Sequence, residues 1–257
     1  GVTLTRPLIM RLSFYCVLEV GIEDPDEPKD PETPHFIPAY SQKVKASNEF
    51  QTFQFDHSFV LNSLKSSMEG YVFHTQPLDT DDLLEQTVKL FNSCKTSLEL
   101  FDMLHNMRAY DDSTHAHSLN VALICRPIGN WLNADAATLD TLTLCGLLHD
   151  IGKLKIPDEI LNKPGKYTDE EFDLVKRHTK FGYELLKPLN IDPHIKKAAL
   201  LHHERCDGSG YPLKATQKDL DDFSMVVAIA DVYDAMTAAR SYRAPLCPFQ
   251  VIEGLEQ

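Results

Sequence analysis

The run His149-Asp150-Ile151-Gly152-Lys153 constrains this chain most, because it closes a segment that is apolar on nearly every side (Leu142, Leu144, Leu147, Leu148). Polar groups driven into a core by such a segment are costly unless something satisfies them. Downstream, His202-His203-Glu204 leads into Gly208-Ser209-Gly210-Tyr211-Pro212, and Asp231 follows the apolar stretch Met225 to Ala230. His117 and His178 stand on further helical stretches. Taken singly, each histidine reads as a structural residue. Together, His117, His149, Asp150, His178, His202, His203 and Asp231 are explained by one cluster of divalent metal ions. Mixed imidazole and carboxylate ligands suit iron, manganese, zinc or nickel rather than calcium.

The pattern divides near residue 80. In residues 1–80, Leu8 to Val20 is rich in strand formers. The proline-dense segment Pro25 to Pro38 is an exposed loop. Phe50 to Phe55 alternates weakly, with Phe53 and Phe55 on one face. Asp56 can cap a helix to about Lys65, and Tyr71-Val72-Phe73 reads as a short strand. The expectation is a small α/β accessory or sensory unit. Residues 81–257 read as helical. Thr80 caps the first helix, and further helices follow over Leu98 to Met107, His117 to Arg126 (Pro127 ending or kinking it), Thr138 to His149, Asp169 to Leu186, Ile195 to His203 and Phe223 to Ala239. The fold class is mainly α: an all-helical domain with a small α/β unit before it.

The formal charge of -13 argues against nonspecific DNA or RNA binding, which needs excess Lys and Arg. Six cysteines without CxxC spacing read as reduced thiols of a cytoplasmic protein. No stretch approaches the roughly 20 apolar residues of a membrane span. The sequence stops at Gln257 within a helical pattern, which reads as part of a longer chain.

The motifs resemble the HD superfamily of metal-dependent phosphohydrolases through His117, His149-Asp150 and Asp231. With His178, His202-His203 and Gly210-Tyr211-Pro212 they resemble its HD-GYP branch, the bacterial cyclic di-GMP phosphodiesterases. Lys163-Pro164-Gly165 and Ala230 to Thr237, with Arg240, Tyr242 and Arg243, extend the likeness over roughly residues 105 to 246. The resemblance implies an all-helical HD-type domain with two divalent transition ions, iron favoured and manganese, nickel or zinc as substitutes. His117, His149, Asp150 and Asp231 would hold one ion. Asp150 would bridge to a second, held by His178, His202 and His203. Lys153 would steady phosphoryl oxygens, and Tyr211, Arg240 and Arg243 would contact the ligand. Asp234 is expected to orient a neighbouring group. Three-metal members carry a carboxylate where this chain has Ser113, beside Asp111 and Asp112, which favours two ions; Asp112 or His115 are the less favoured routes to a third.

The implied reaction opens cyclic di-GMP to pGpG, with slower passage to GMP. The stretch Leu213 to Ser224 lacks the glycine usual after the Gly-Tyr-Pro loop, which keeps open a second reading, a weakly catalytic cyclic di-GMP receptor. Cyclic GMP-AMP is a third candidate ligand. A homodimer or a signalling protein is the expected partner.

Overall fold

The computed structural model describes residues 40–107 and 113–237. The expected strand at Leu8 to Val20, the proline-rich loop, and Asp111, Asp112, Arg240, Tyr242 and Arg243 lie outside the described residues. The described residues form helices α1 (Tyr40–Lys45), α2 (Asn48–His74), α3 (Thr80–Asn92), α4 (Ser97–Met107), α5 (Thr114–Trp131) and α6 (Ala136–Leu148). A 3-10 turn (Ile151–Lys155) follows, then α7 (Asp158–Leu161), α8 (Asp169–Lys176), α9 (His178–Leu186) and α10 (Pro193–Leu201). A second 3-10 turn (Gln217–Asp219) precedes α11 (Asp222–Thr237). Among the described residues the nearest thing to a sheet is one isolated antiparallel bridge, Asp207 with Thr216. The mainly helical class is therefore as expected. No described helix is long and apolar enough to cross a membrane.

The weak alternation over 50–55, the helix expected over 56–65 and the strand expected over 71–73 all fall within the single helix α2. Ser47 caps it, its Oγ accepting from the Phe50 amide at 3.2 Å. Asp56 lies inside α2 and caps nothing. The buried residues Phe50, Phe53, His57, Val60, Leu61, Leu64 and Met68 recur every three or four positions, one face of a 3.6-residue helix. Phe53 is buried on that face while Phe55 is 74% exposed on another, so the two do not share a side. Thr75 ends the helix in the left-handed region, φ 57°, donating its amide to the Gly70 carbonyl. The α2 face joins the same core as Leu100, Leu119, Leu123, Leu147 and Leu148. Each fully buried leucine of this kind contributes about 1.5–3 kcal/mol.

Three boundaries differ from expectation. Asp79 rather than Thr80 caps α3, accepting from the Asp82 amide at 3.0 Å. Pro127 leaves α5 unbroken to Trp131. It costs a backbone bond locally, on the order of 3 kcal/mol, but the turn beyond it is locked against α6: a Cβ on Gly129 would stand 2.6 Å from Leu139 Cδ2. The helix expected over Asp169 to Leu186 breaks at Arg177 into α8 and α9, so that His178 opens a new helix. Met225 to Ala230, ambiguous by periodicity, is helical within α11.

Two glycines set how closely the site-bearing elements meet. A Cβ on Gly146 of α6 would lie 2.5 Å from Ala122 Cα of α5, so that pair of helices packs backbone to backbone. A Cβ on Gly152 would overlap the His178 carbonyl and the Gly182 amide. The 3-10 turn after Asp150 thus rests directly on α9.

Candidate metal centre

Helix ends converge on one point. Ser113 caps α5, its Oγ accepting from the Ala116 amide at 3.2 Å, and His117 stands in the first turn. His149 is the C-cap of α6, with Asp150 next. His178 opens α9, His202 is the C-cap of α10 with His203 after it, and Asp231 and Asp234 lie one turn apart in α11. All seven residues singled out in the sequence come together. The ligating atoms of Asp150, His178, His202 and His203 lie within 4.8 Å of one another, as do those of His117, His149 and Asp231.

Asp150 stands between the two groups. Its Oδ1 faces His178 Nε2 at 3.3 Å and His202 Nε2 at 3.7 Å. Its Oδ2 faces His149 Nε2 at 3.2 Å and His117 Nε2 at 3.8 Å. Yet Oδ1 and His149 Nε2 are buried with no hydrogen bond of proper geometry.

The imidazole tautomers sharpen this. His149 Nδ1 donates to the Gly146 carbonyl at 2.8 Å, His178 Nδ1 to Val175 at 2.7 Å and His202 Nδ1 to Ala198 at 2.9 Å. A neutral ring that donates through Nδ1 presents a bare lone pair at Nε2. His178 Nε2 and His202 Nε2 then stand 3.3 Å apart with lone pairs facing, an arrangement that repels unless a cation lies among them. Rings oriented in this way by a backbone carbonyl are typical metal ligands.

Electrostatics agree. Burial pushes the His178 pKa down to about 3 and holds His203 well below the ordinary histidine value, so both rings are neutral near pH 7. Burial works against the charged carboxylates too, but the facing His149 ring and the Lys153 ammonium outweigh it for Asp150, and the bonds from His117 do so for Asp231. Both carboxylates stay ionised. Burial would lower His117, but its bonds to Asp231 (Nε2 to Oδ1, 2.9 Å) and Asp234 (Nδ1 to Oδ2, 2.8 Å) raise it to about 10. Asp234 orients His117, as expected from its place one turn beyond Asp231.

Lys153 Nζ lies 2.5 Å from Asp150 Oδ2. The Tyr211 ring packs on His203, centroids 4.8 Å apart, and stands edge-on to Phe172 at 6.3 Å. Burial raises the Tyr211 phenol above its ordinary value. Lys153, His117, His178, His203 and Tyr211 all border a cleft of about 1070 Å³. That volume is at the upper end of what encloses a drug-sized ligand.

Glu204 was missed in the sequence. It is buried, and its carboxylate accepts the backbone amides of Leu213 at 2.5 Å and Ala215 at 2.9 Å. It ties down the segment that lacks a glycine, where Lys214 takes the left-handed conformation, φ 56°. The signal was a carboxylate placed directly after two histidines at the end of an apolar helix. Gly210 is required there as well, since a Cβ would lie 2.5 Å from Glu204 Cα and from the His203 carbonyl.

The family model described as HD domain matches residues 82–257. A cyclic di-GMP phosphodiesterase of Pseudomonas aeruginosa is 39% identical over 141 residues, 54% of this chain and 34% of that protein. A 3'3'-cGAMP-specific phosphodiesterase of Vibrio cholerae is 36% identical over 164 residues, 63% of this chain and 31% of that protein. The chain spans about a third of the length of these curated relatives. The solved structure of an HDG"Y"P protein from Bdellovibrio bacteriovorus shares the fold, with a TM-score of 0.61 over 84% of this chain and 76% of that one, at 17% identity. Every helix that carries a cluster residue falls inside the matched region, and Gly210-Tyr211-Pro212 supplies the tripeptide of the HD-GYP branch: this chain belongs to the HD domain family.

Proposed function

We propose that the chain is a metal-dependent phosphodiesterase that opens cyclic di-GMP to linear pGpG, with slower hydrolysis to GMP. The observation that carries the reading is the pair of facing imidazole lone pairs beside an unsatisfied buried carboxylate oxygen, at His178, His202 and Asp150. His117, His149, Asp150 and Asp231 fit one divalent ion. Asp150, His178, His202 and His203 fit a second, with Asp150 offering one oxygen to each side. The donor set suits iron, manganese, nickel or zinc, and the family resemblance favours iron among them. Two such ions supply an acidified water as nucleophile and positive charge for the phosphoryl oxygens.

The chain's own residues do the rest. The carbonyls of Gly146, Val175 and Ala198 fix three rings in the ligating tautomer, so no reorganisation is needed on loading. Asp234 holds His117 against Asp231. The proton between His117 and Asp231 is the one that a cation would displace, which makes loading release acid. The Lys153 ammonium, at the cleft floor and drawn to Asp150, is placed to meet an equatorial phosphoryl oxygen. Tyr211 offers an aromatic edge to the ligand from the Gly-Tyr-Pro loop. Arg240 and Arg243 are assigned to the second phosphate or a guanine edge, where a planar fork binds in pairs.

The curated relatives named for cyclic di-GMP support this substrate, and the one named for 3'3'-cGAMP makes that dinucleotide the competing one. Glu204 ties down the segment after Pro212 without a glycine, which supports the enzymatic reading over the receptor one. The test is anaerobic. Protein loaded with Fe(II) or Mn(II) is given cyclic di-GMP and the products are separated by chromatography. Linear pGpG, absent with Asp150→Ala, is the expected result. Unchanged substrate with metal bound would refute it.

A further inference from the structure

One wall of the cleft comes from outside the matched domain. Helix α2 ends before residue 82, yet Glu69 and Phe73 border the cleft together with the metal-cluster histidines. They lie four residues apart, hence on one face of the helix. Phe73 is 54% exposed, a large aromatic surface with little cover of its own. The Lys155 ammonium lies 5.5 Å from its ring centroid. The Glu69 carboxylate makes no hydrogen bond or ion pair with any described residue.

The wall is held rigidly. His57 Nε2 meets Asn120 Oδ1 of α5 at 3.2 Å in the core. The Tyr71 hydroxyl donates to the Leu185 carbonyl of α9 at 2.5 Å, and Lys155 Nζ donates to the Val72 carbonyl at 3.4 Å. α2 is thereby fastened to the two helices that carry His117 and His178.

We infer that Glu69 and Phe73 read a guanine base of the substrate: Phe73 stacks on the ring and Glu69 accepts its N1–H and exocyclic N–H. This rests on the phosphodiesterase reading above. The sign of charge decides which part of the ligand belongs here. Phosphates are drawn to Lys153 and the metal cluster, and a carboxylate repels them. An ionised Glu only accepts hydrogen bonds. The Watson–Crick edge of guanine offers two adjacent donors, whereas that of adenine offers an acceptor at N1. Aromatic stacking combined with hydrogen bonds to that edge is the common way proteins read an unpaired base. The inference assigns substrate selectivity to a helix that precedes the residues matched by the family model.

The experiment measures kcat/KM for cyclic di-GMP and cyclic di-AMP with metal-loaded wild type, Glu69→Gln, Phe73→Ala and Phe73→Trp, each first checked for an unchanged melting curve. Glu69→Gln replaces one acceptor oxygen by a donor. It is expected to lower kcat/KM for cyclic di-GMP about tenfold, through KM, and to leave or raise the value for cyclic di-AMP. Phe73→Ala should weaken both substrates about tenfold, within the range that base–aromatic stacking contributes, and Phe73→Trp should restore them. If wild type cleaves cyclic di-GMP and Glu69→Gln keeps its preference for guanine, the base-reading inference is overturned and the phosphodiesterase stands. If wild type cleaves neither dinucleotide with metal bound, the phosphodiesterase reading falls and this inference falls with it.

Discussion

Gly152→Ala should damage both the fold and the metal centre, while Gly182→Ala, on the facing helix, should damage neither. A Cβ at position 152 would overlap two backbone groups, the His178 carbonyl and the Gly182 amide. Neither is the far end of a flexible side chain, so α9 or the 3-10 turn must move. Overpacking of this kind costs typically about 1–3 kcal/mol. At roughly 2–4 °C per kcal/mol for a chain of this size, the melting temperature should fall by about 2–12 °C. The displaced groups are those that bring His178 Nε2 to 3.3 Å from Asp150 Oδ1, so the second ion should be held less tightly. At Gly182 the added Cβ would meet Ala199 Cβ at 3.5 Å, an ordinary contact. Alanine in a helix interior also gains up to about 1 kcal/mol over glycine. The assays are thermal unfolding by circular dichroism and metal content after loading and gel filtration. A Gly152→Ala protein that melts within 1 °C of wild type and retains two ions would refute the packing argument, as would equal losses at both glycines.

Three further outcomes follow from the geometry. Asp234→Asn, which weakens the hold on His117 Nδ1, should lower metal affinity about 10–100-fold in a chelator competition. Glu204→Gln turns an acceptor of two backbone amides into a group that meets one of them donor to donor; a loss of about 1–3 kcal/mol in urea unfolding and faster amide exchange at Leu213 and Ala215 are expected. Asp221 caps α11 through the Ser224 amide at 2.9 Å and pairs with His194; burial raises its pKa, but these bonds outweigh it and hold the carboxyl below its ordinary value. Its stabilisation is therefore present above about pH 4 and lost as the pH falls through the folded value. Asp221→Ala should cost about 1 kcal/mol at pH 7 and progressively less as the pH falls below about 4, read from paired urea titrations.

The site was more legible than the architecture around it. His149-Asp150 and His202-His203 stand at the ends of apolar helices, where burial without a partner is so costly that a common ligand suggests itself. The bridging position of Asp150 followed only from the family resemblance, since spacing says nothing of where two carboxylate oxygens point. Gly152 and the Asn120–His57 pair act through contacts between elements far apart in sequence, and Glu204 reaches two amides across a loop; no local pattern reports such contacts. The misreading of α2 has a plain cause. Phe53 and Phe55 suggest alternation, but the longer series from Phe50 to Met68 has helical spacing, and a six-residue window is too short to separate the two periods. The break at Arg177 carries no proline or glycine, and it falls where the 3-10 turn packs directly on the first residues of α9.

The most direct test of the central claim is anomalous diffraction at the iron edge from crystals grown anaerobically with Fe(II). The account predicts two peaks flanking Asp150, one contacted by His117, His149 and Asp231 and the other by His178, His202 and His203. A single peak, or iron bound elsewhere with the Asp150 carboxylate paired only to Lys153, would contradict it.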